Sequence, residues 1–154
     1  MSAGAITFLV EDPGWRKARG LTLRLRAAAQ AALRASGFKG KSALTVLLSS
    51  DDRLRQLNRD FRGKNKPTNV LSFPAAPNPH GYRGDIALAY GVTRGEADVS
   101  GKRLSDHASH LVVHGVLHLA GYDHELARDA NEMEPLEVKI LKRLGIADPY
   151  KANA

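Results

Sequence analysis

Apolar residues along this chain follow two periods, and the change from one to the other orders its elements. AITFLVED, Ala5 to Asp12, predicts a first strand that ends near Pro13 and Gly14. Leu21, Leu23 and Leu25 alternate as a strand would, but the alanine-rich remainder and the stop at Gly37 favour a helix. ALTVLLSS is a continuous apolar run with β-branched residues, the pattern of a buried strand. Ser50 or Asp51 then caps a short helix, DDRLRQLNRDF, with Leu54 and Leu57 inward. RGKNKPTN is a polar loop broken by Gly63 and Pro67, VLSF is a strand closed by Pro74, and PAAPNPHGYRG is a turn-rich loop.

GDIALAY predicts another strand, followed by a short helix around TRGEADVSG. A further helix runs from about Leu104 to Ala120. The last runs from about Leu126 to Leu144, with Met133, Leu136, Ile140, Leu141 and Leu144 at helical spacing. Strands fill the first half and helices the second. That order predicts an α+β fold, a small mixed β-sheet packed with about five helices, as one domain over residues 1–154.

Composition narrows the class. The 154 residues are 43% hydrophobic and 25% charged, ordinary for one globular domain with a real core. The apolar runs are too short to cross a bilayer, and no basic segment precedes the first of them, so a cytoplasmic protein is expected. There is no cysteine, which excludes disulfides, thiolate zinc sites and thiol nucleophiles together. Any metal must be held by His, Asp or Glu. The net charge of +7 is unevenly spread. From Arg16 to Lys66 fourteen Lys or Arg face three acids (Asp51, Asp52, Asp60), whereas from Asp123 to Asp148 seven acids face four bases. A basic half points to an anionic partner, nucleic acid or a membrane surface, although a solvated basic face would read the same way.

The chemistry concentrates in HGVLHLAGYDH. His114 and His118 are four apart and share one helix face, so their rings can converge on one ion. Gly121 can take a left-handed conformation and end the helix, letting His124 return to the same point. Three imidazoles with a fourth position open suit a catalytic zinc, one ion per chain. His107 and His110 lie further back on that face, as supporting donors, substrate contacts or surface residues; His80 carries no assignment. The spacing is that of the metzincin pattern H-E-x-x-H-x-x-G-x-x-H, but Gly115 stands where the Glu belongs. Gly115 reads either as close helix packing or as room for an anionic substrate; the second favours a phosphodiester over a peptide bond. Arg62 opens the loop with Lys64 and Lys66 close behind, and a guanidinium can clamp a phosphate in a bidentate fork.

LNRDFRGKNKPTNVLSFP, GDIAL, HLVVHGVLHLAGYDHE and EMEPLE, in that order, resemble the YbeY family of bacterial ribosomal RNA maturation factors. The resemblance covers about Leu57 to Tyr150, and the missing Glu belongs to the family's own pattern. It implies a metalloprotease (metzincin)-like core and zinc on His114, His118 and His124. It also implies a functionally important Arg62, following the aromatic Phe61. The implied activity is single-strand-specific endoribonuclease action in maturing the 3′ end of small-subunit (16S) ribosomal RNA and in ribosome quality control. Ribosomal RNA, the small subunit and ribosome-associated proteins are the implied partners. Arg62 and His114 are expected to be catalytic, with Lys64, Lys66 and Asp85 as substrate contacts. Asp85 and Asp123 are candidate general bases, each equally suited to orienting a histidine or capping a turn, and the RNA 2′-OH is a candidate nucleophile. Two other readings stay open: a non-catalytic RNA-binding assembly factor with a structural metal, and a metallopeptidase.

Overall fold

The fold is that of a computed structural model, which describes residues 5–122 and 127–151. Four strands, β1 (Ile6–Val10), β2 (Ala43–Ser49), β3 (Val70–Pro74) and β4 (Tyr82–Ala89), form one mixed sheet in the order β1-β2-β4-β3. β1, β2 and β4 run parallel, and β3 is antiparallel to β4. Five helices accompany them: α1 (Leu21–Ala35), α2 (Asp51–Arg62), α3 (Tyr90–Val99), α4 (Leu104–Leu119) and α5 (Ala127–Arg143). The expected α+β class, mixed sheet and five helices are all found.

β2 reads as a near-continuous apolar run because helices cover both faces of the sheet. Leu44, Val46 and Leu48 point to one face and join Ile86 and Leu88 of β4 beneath α1, α4 and α5. On the other face Leu54 of α2 packs with Leu71, Ala87 and Ala89. The early leucine alternation is resolved by a helix: Leu21 and Leu25 are buried while Leu23 is 73% exposed. Ala28, Ala29 and Ala32 continue the buried stripe, and small side chains let α1 lie close against α4.

Caps fix the lengths of the helices. Ser50 Oγ accepts from Arg53 N–H at 3.1 Å and starts α2, as the pattern predicts. Asp51 does a different job, its Oδ1 accepting from Val92 N–H at 2.9 Å in the first turn of α3. α3 has no side-chain cap of its own at Ala89, so this carboxylate serves both the orphan N–H and the helix dipole. It also explains why α3 begins at Tyr90, three residues before the expected start. A 3-10 helix at Pro13–Lys17 is not foreseen by the pattern; it seats Trp15, whose indole donates to Ser49 O at 2.9 Å. α4 ends at Leu119, and Gly121 follows at φ +101°, its N–H donating to His118 O at 3.0 Å. This is the glycine stop that the sequence predicts. The expected start of α5 at Leu126 and the ligand His124 lie outside the described residues.

Candidate metal centre and cationic groove

α4 is buried almost all round, with Ala108, Ser109, Leu111, Val112, Val113, Val116, Leu117 and Leu119 inside. Four histidines interrupt that burial: His107, His110, His114 and His118 are partly exposed. Steps of three, four and four put them on a single stripe. The stripe lines an open groove of about 1550 Å³. Arg62, Lys64 and Lys66 line it, as do Asn69, just before β3, and Val70 and Ser72 at the outer edge of that strand.

The two histidines of the predicted ligand set converge. His114 Nε2 and His118 Nε2 are 3.0 Å apart. Tetrahedral zinc with Zn–N of ~2.05 Å needs ~3.3 Å between nitrogens, so a few tenths of an ångström of opening suffices. On its far side His114 Nδ1 lies 3.3 Å from Glu137 Oε2, and His110 Nε2 lies 2.8 Å from the same oxygen. Tyr150 donates its hydroxyl to Glu137 Oε1 at 2.9 Å. Glu137 is fully buried. Burial pushes its carboxyl upward, but hydrogen bonds and charge from His110 and His114 outweigh this and hold it down at about 2. An ionised carboxylate only accepts, so a neutral His114 facing it would carry its proton on Nδ1 and leave the Nε2 lone pair toward the groove. Tyr150 is pushed the other way, its phenol raised by burial and by the charge of Glu137.

His110, His114 and Glu137 form the one group among the described residues whose side chains could jointly hold a metal ion. That set and the predicted one share His114 but use opposite sides of its ring. The Nε2 side opens on the groove, whereas on the other side Glu137 already meets His110 and His114 through Oε2 and Tyr150 through Oε1. A metal that must meet a substrate fits the Nε2 side.

Gly115 turns out to face the sheet. A Cβ there would stand 2.9 Å from Ile86 Cγ2 and 3.1 Å from Cδ1, and its carbonyl accepts from Ser72 Oγ at 3.2 Å. The residue is buried and is not part of the groove wall. Close packing of α4 on β4 therefore explains the glycine, and room for an anionic substrate does not.

The cationic wall is built by α2 and the edge strand. Gly63 takes φ +71° and ends α2, and Asn58, 3% exposed, donates from Nδ2 to Lys66 O at 2.9 Å while its carbonyl accepts from Lys64 N–H at 3.2 Å. Asn69 and Ala75 hydrogen-bond toward β4, so alternation sends the backbone groups of Val70 and Ser72 outward. The Arg62 guanidinium sits on that edge, Nη2 to Ser72 O at 3.4 Å. Upstream, Arg53, Arg55 and Arg59 pair with Glu11, Asp52 and Asp60. Among the described residues, Arg62, Lys64 and Lys66 have no acid within ion-pair distance. Across the groove His107 Nε2 meets Glu96 Oε1 at 2.9 Å, and Asn69 Nδ2 donates to that oxygen at 3.0 Å.

Thus Arg62, Lys64, Lys66, His114 and His118 come together. Asp85 does not join them. Its neighbours Ile86 and Leu88 point toward α4, which puts Asp85 on the α2 side, where it accepts from the Tyr82 hydroxyl. Neither substrate contact nor general base in this groove suits that position. Asp123 and His124 lie outside the described residues. Glu137, behind His114, and Asn58, which holds the Lys64–Lys66 loop, are the residues shaping this groove that the pattern reading passes over. Glu137 had a signal: it falls four after Met133 and four before Leu141, a charge in the middle of the apolar stripe.

Fold and groove define a small α+β protein with a metal-capable histidine centre beneath a cationic wall. The family model described as Endoribonuclease YbeY matches residues 16–145, and the chain belongs to that family of RNA-cutting hydrolases. A protein of Rhodopseudomonas palustris named Endoribonuclease YbeY is 55% identical over 132 residues, 82% of this chain and 70% of that one. One from Maricaulis maris with the same name is 42% identical over 146 residues, 95% of this chain and 91% of that one. Among solved structures, the solution structure of TM1509 from Thermotoga maritima aligns with a TM-score of 0.61 at 27% identity, covering 95% of this chain and 99% of that one.

Proposed function

We propose that this chain is a zinc-dependent, single-strand-specific endoribonuclease. It acts in the cytoplasm on the 3′ end of small-subunit ribosomal RNA and in ribosome quality control, in company with the small subunit and its associated proteins. The observation that carries this is the convergence of His114 Nε2 and His118 Nε2 at 3.0 Å in one groove with Arg62, Lys64 and Lys66, three cations that have no acid partner among the described residues. His114, His118 and His124 would hold the ion. A histidine helix packed beside an edge strand also supports a metzincin-like core.

When bound, zinc supplies Lewis-acid polarisation and lowers the pKa of water. Arg62 holds the scissile phosphate in a bidentate fork and offsets the charge that grows on it, fixed in place by the Ser72 carbonyl. Lys64 and Lys66 hold flanking phosphates, and Asn58 keeps their loop in one shape. An unpaired strand can follow this wall and splay its bases across the groove, whereas A-form duplex hides its base edges. Within the described part of the groove the acids are Glu96 and Glu134, with Glu96 already engaged by His107 and Asn69. The attacking group, water or the RNA 2′-OH, gives its proton to a base, for which Glu134 in the groove and Asp123 beside His124 in the sequence are the candidates, and the leaving oxygen takes up a proton as its bond to phosphorus breaks.

The test compares cleavage of single-stranded and duplex RNA by the parent and by His114→Ala. The parent should cut the single strand, and His114→Ala should bind it without cutting. A highly purified His114→Ala protein that cuts as fast as the parent would overturn the assignment. Product ends separate the two nucleophiles, since a 2′,3′-cyclic phosphate excludes attack by water.

A further inference from the structure

Glu137 is a fully buried carboxylate that no step above uses, on a helix face otherwise made of Met133, Ile140 and Leu141. Burying a charge is costly unless every acceptor site is engaged. Here His110 and His114 meet Oε2, and Tyr150 donates to Oε1. Tyr150 comes from the segment after α5, which turns at Gly145 (φ +78°) and runs back along the groove. That segment is pinned twice more. Lys102 Nζ donates to Pro149 O at 3.4 Å, and the Tyr150 ring meets the His110 ring edge-on at 5.5 Å. Pro149 and Tyr150 are both part of the groove wall.

We infer that Glu137 is a positioning residue that fixes the His114 ring and its Nδ1–H tautomer for metal binding, and that Tyr150 holds Glu137 in place, so that metal affinity depends on the C-terminal segment. The inference rests on the reading of His114 as a ligand. An imidazole that carries its proton on Nδ1 offers Nε2 as a lone pair. Without Glu137 the two tautomers compete, and the ring is free to turn about χ2. A carboxylate behind a ligating histidine typically changes metal affinity by about tenfold to a hundredfold. Among the described residues the hydroxyl of Tyr150 is the one polar group that reaches Oε1, which makes the wall of the groove and the metal centre one hydrogen-bonded unit.

The experiment measures zinc affinity by competition with a chromogenic chelator, using the full chain and its Glu137→Leu, Glu137→Gln, Tyr150→Phe and His114→Ala variants. Glu137→Leu should lose about tenfold to a hundredfold in affinity. Glu137→Gln keeps an acceptor for both histidines and should recover most of that loss. Tyr150→Phe should lose a few-fold, and this loss should vanish in the Glu137→Leu background, as coupling through one network requires. Nitrogen chemical shifts of labelled histidine in the metal-free proteins give the independent readout. His114 should be the Nδ1–H tautomer in the parent and in Glu137→Gln, and a mixture in Glu137→Leu. A folded Glu137→Leu protein with parental affinity, or with an unchanged His114 tautomer, overturns the inference. Should Glu137→Leu fail to fold, the Tyr150→Phe and Glu137→Gln cycle decides: strictly additive losses overturn it equally. If His114→Ala itself binds zinc as the parent does, the ligand assignment has failed instead.

Discussion

At the scale of single residues, two positions separate packing from chemistry. Gly115 lies where a protease of this spacing carries its base, yet its missing Cβ is spoken for by Ile86. Gly115→Ala should gain up to about 1 kcal/mol of helix propensity. It should lose about 1–3 kcal/mol to overpacking. Urea denaturation should show a net loss in the parent, and the same substitution made in an Ile86→Ala background, already destabilised by its cavity, should cost little further. Arg62 is the chemical counterpart. Arg62→Lys keeps the charge but loses the fork, so kcat should fall at least about tenfold with little change in stability. Equal activity of Arg62→Lys and the parent would mean that Arg62 supplies only charge.

At the scale of elements, caps decide where each helix begins and what it can carry. Asp51→Ala removes the carboxylate that serves α3 and should cost about 1 kcal/mol. Hydrogen exchange should localise the loss to the first turn of α3. The same residue shows why the element boundaries were only partly legible. A cap supplied from α2 has no local signature at Ala89, so a reading from nearby residues starts α3 too late. Leu21, Leu23 and Leu25 illustrate another limit, because three alternating leucines fit both periods until Ala28, Ala29 and Ala32 show which stripe continues. The histidine stripe was legible because helical phase alone determines it. The hydrogen bond from His114 to Glu137 joins residues 23 apart, and no periodicity encodes that distance. Asp85 is a related case: its strand is legible in the sequence, but which face of that strand looks toward α4 depends on packing.

At the scale of the whole molecule, the +7 charge resolves into paired and unpaired parts. Arginines along α2 are neutralised by Glu11, Asp52 and Asp60, while Arg62, Lys64 and Lys66 face the groove. Their target should therefore be phosphate, and binding should depend on salt through counterion release. Lys64→Ala with Lys66→Ala should lower the slope of log affinity against log salt for single-stranded RNA by about 1.4, at ~0.7 per contact. Arg53→Ala with Arg55→Ala should leave that slope nearly unchanged. Equal effects from both pairs would indicate a diffuse basic surface in place of a defined track. No helix among the described residues is long and apolar enough to cross a membrane.

The most direct test of the zinc nuclease reading measures metal content and RNA cleavage together on the parent, His114→Ala and Arg62→Ala proteins. The expected result is one zinc per chain and single-strand cleavage in the parent, loss of both in His114→Ala, and retained zinc without cleavage in Arg62→Ala. Undiminished cleavage by a His114→Ala protein that holds no metal would contradict it.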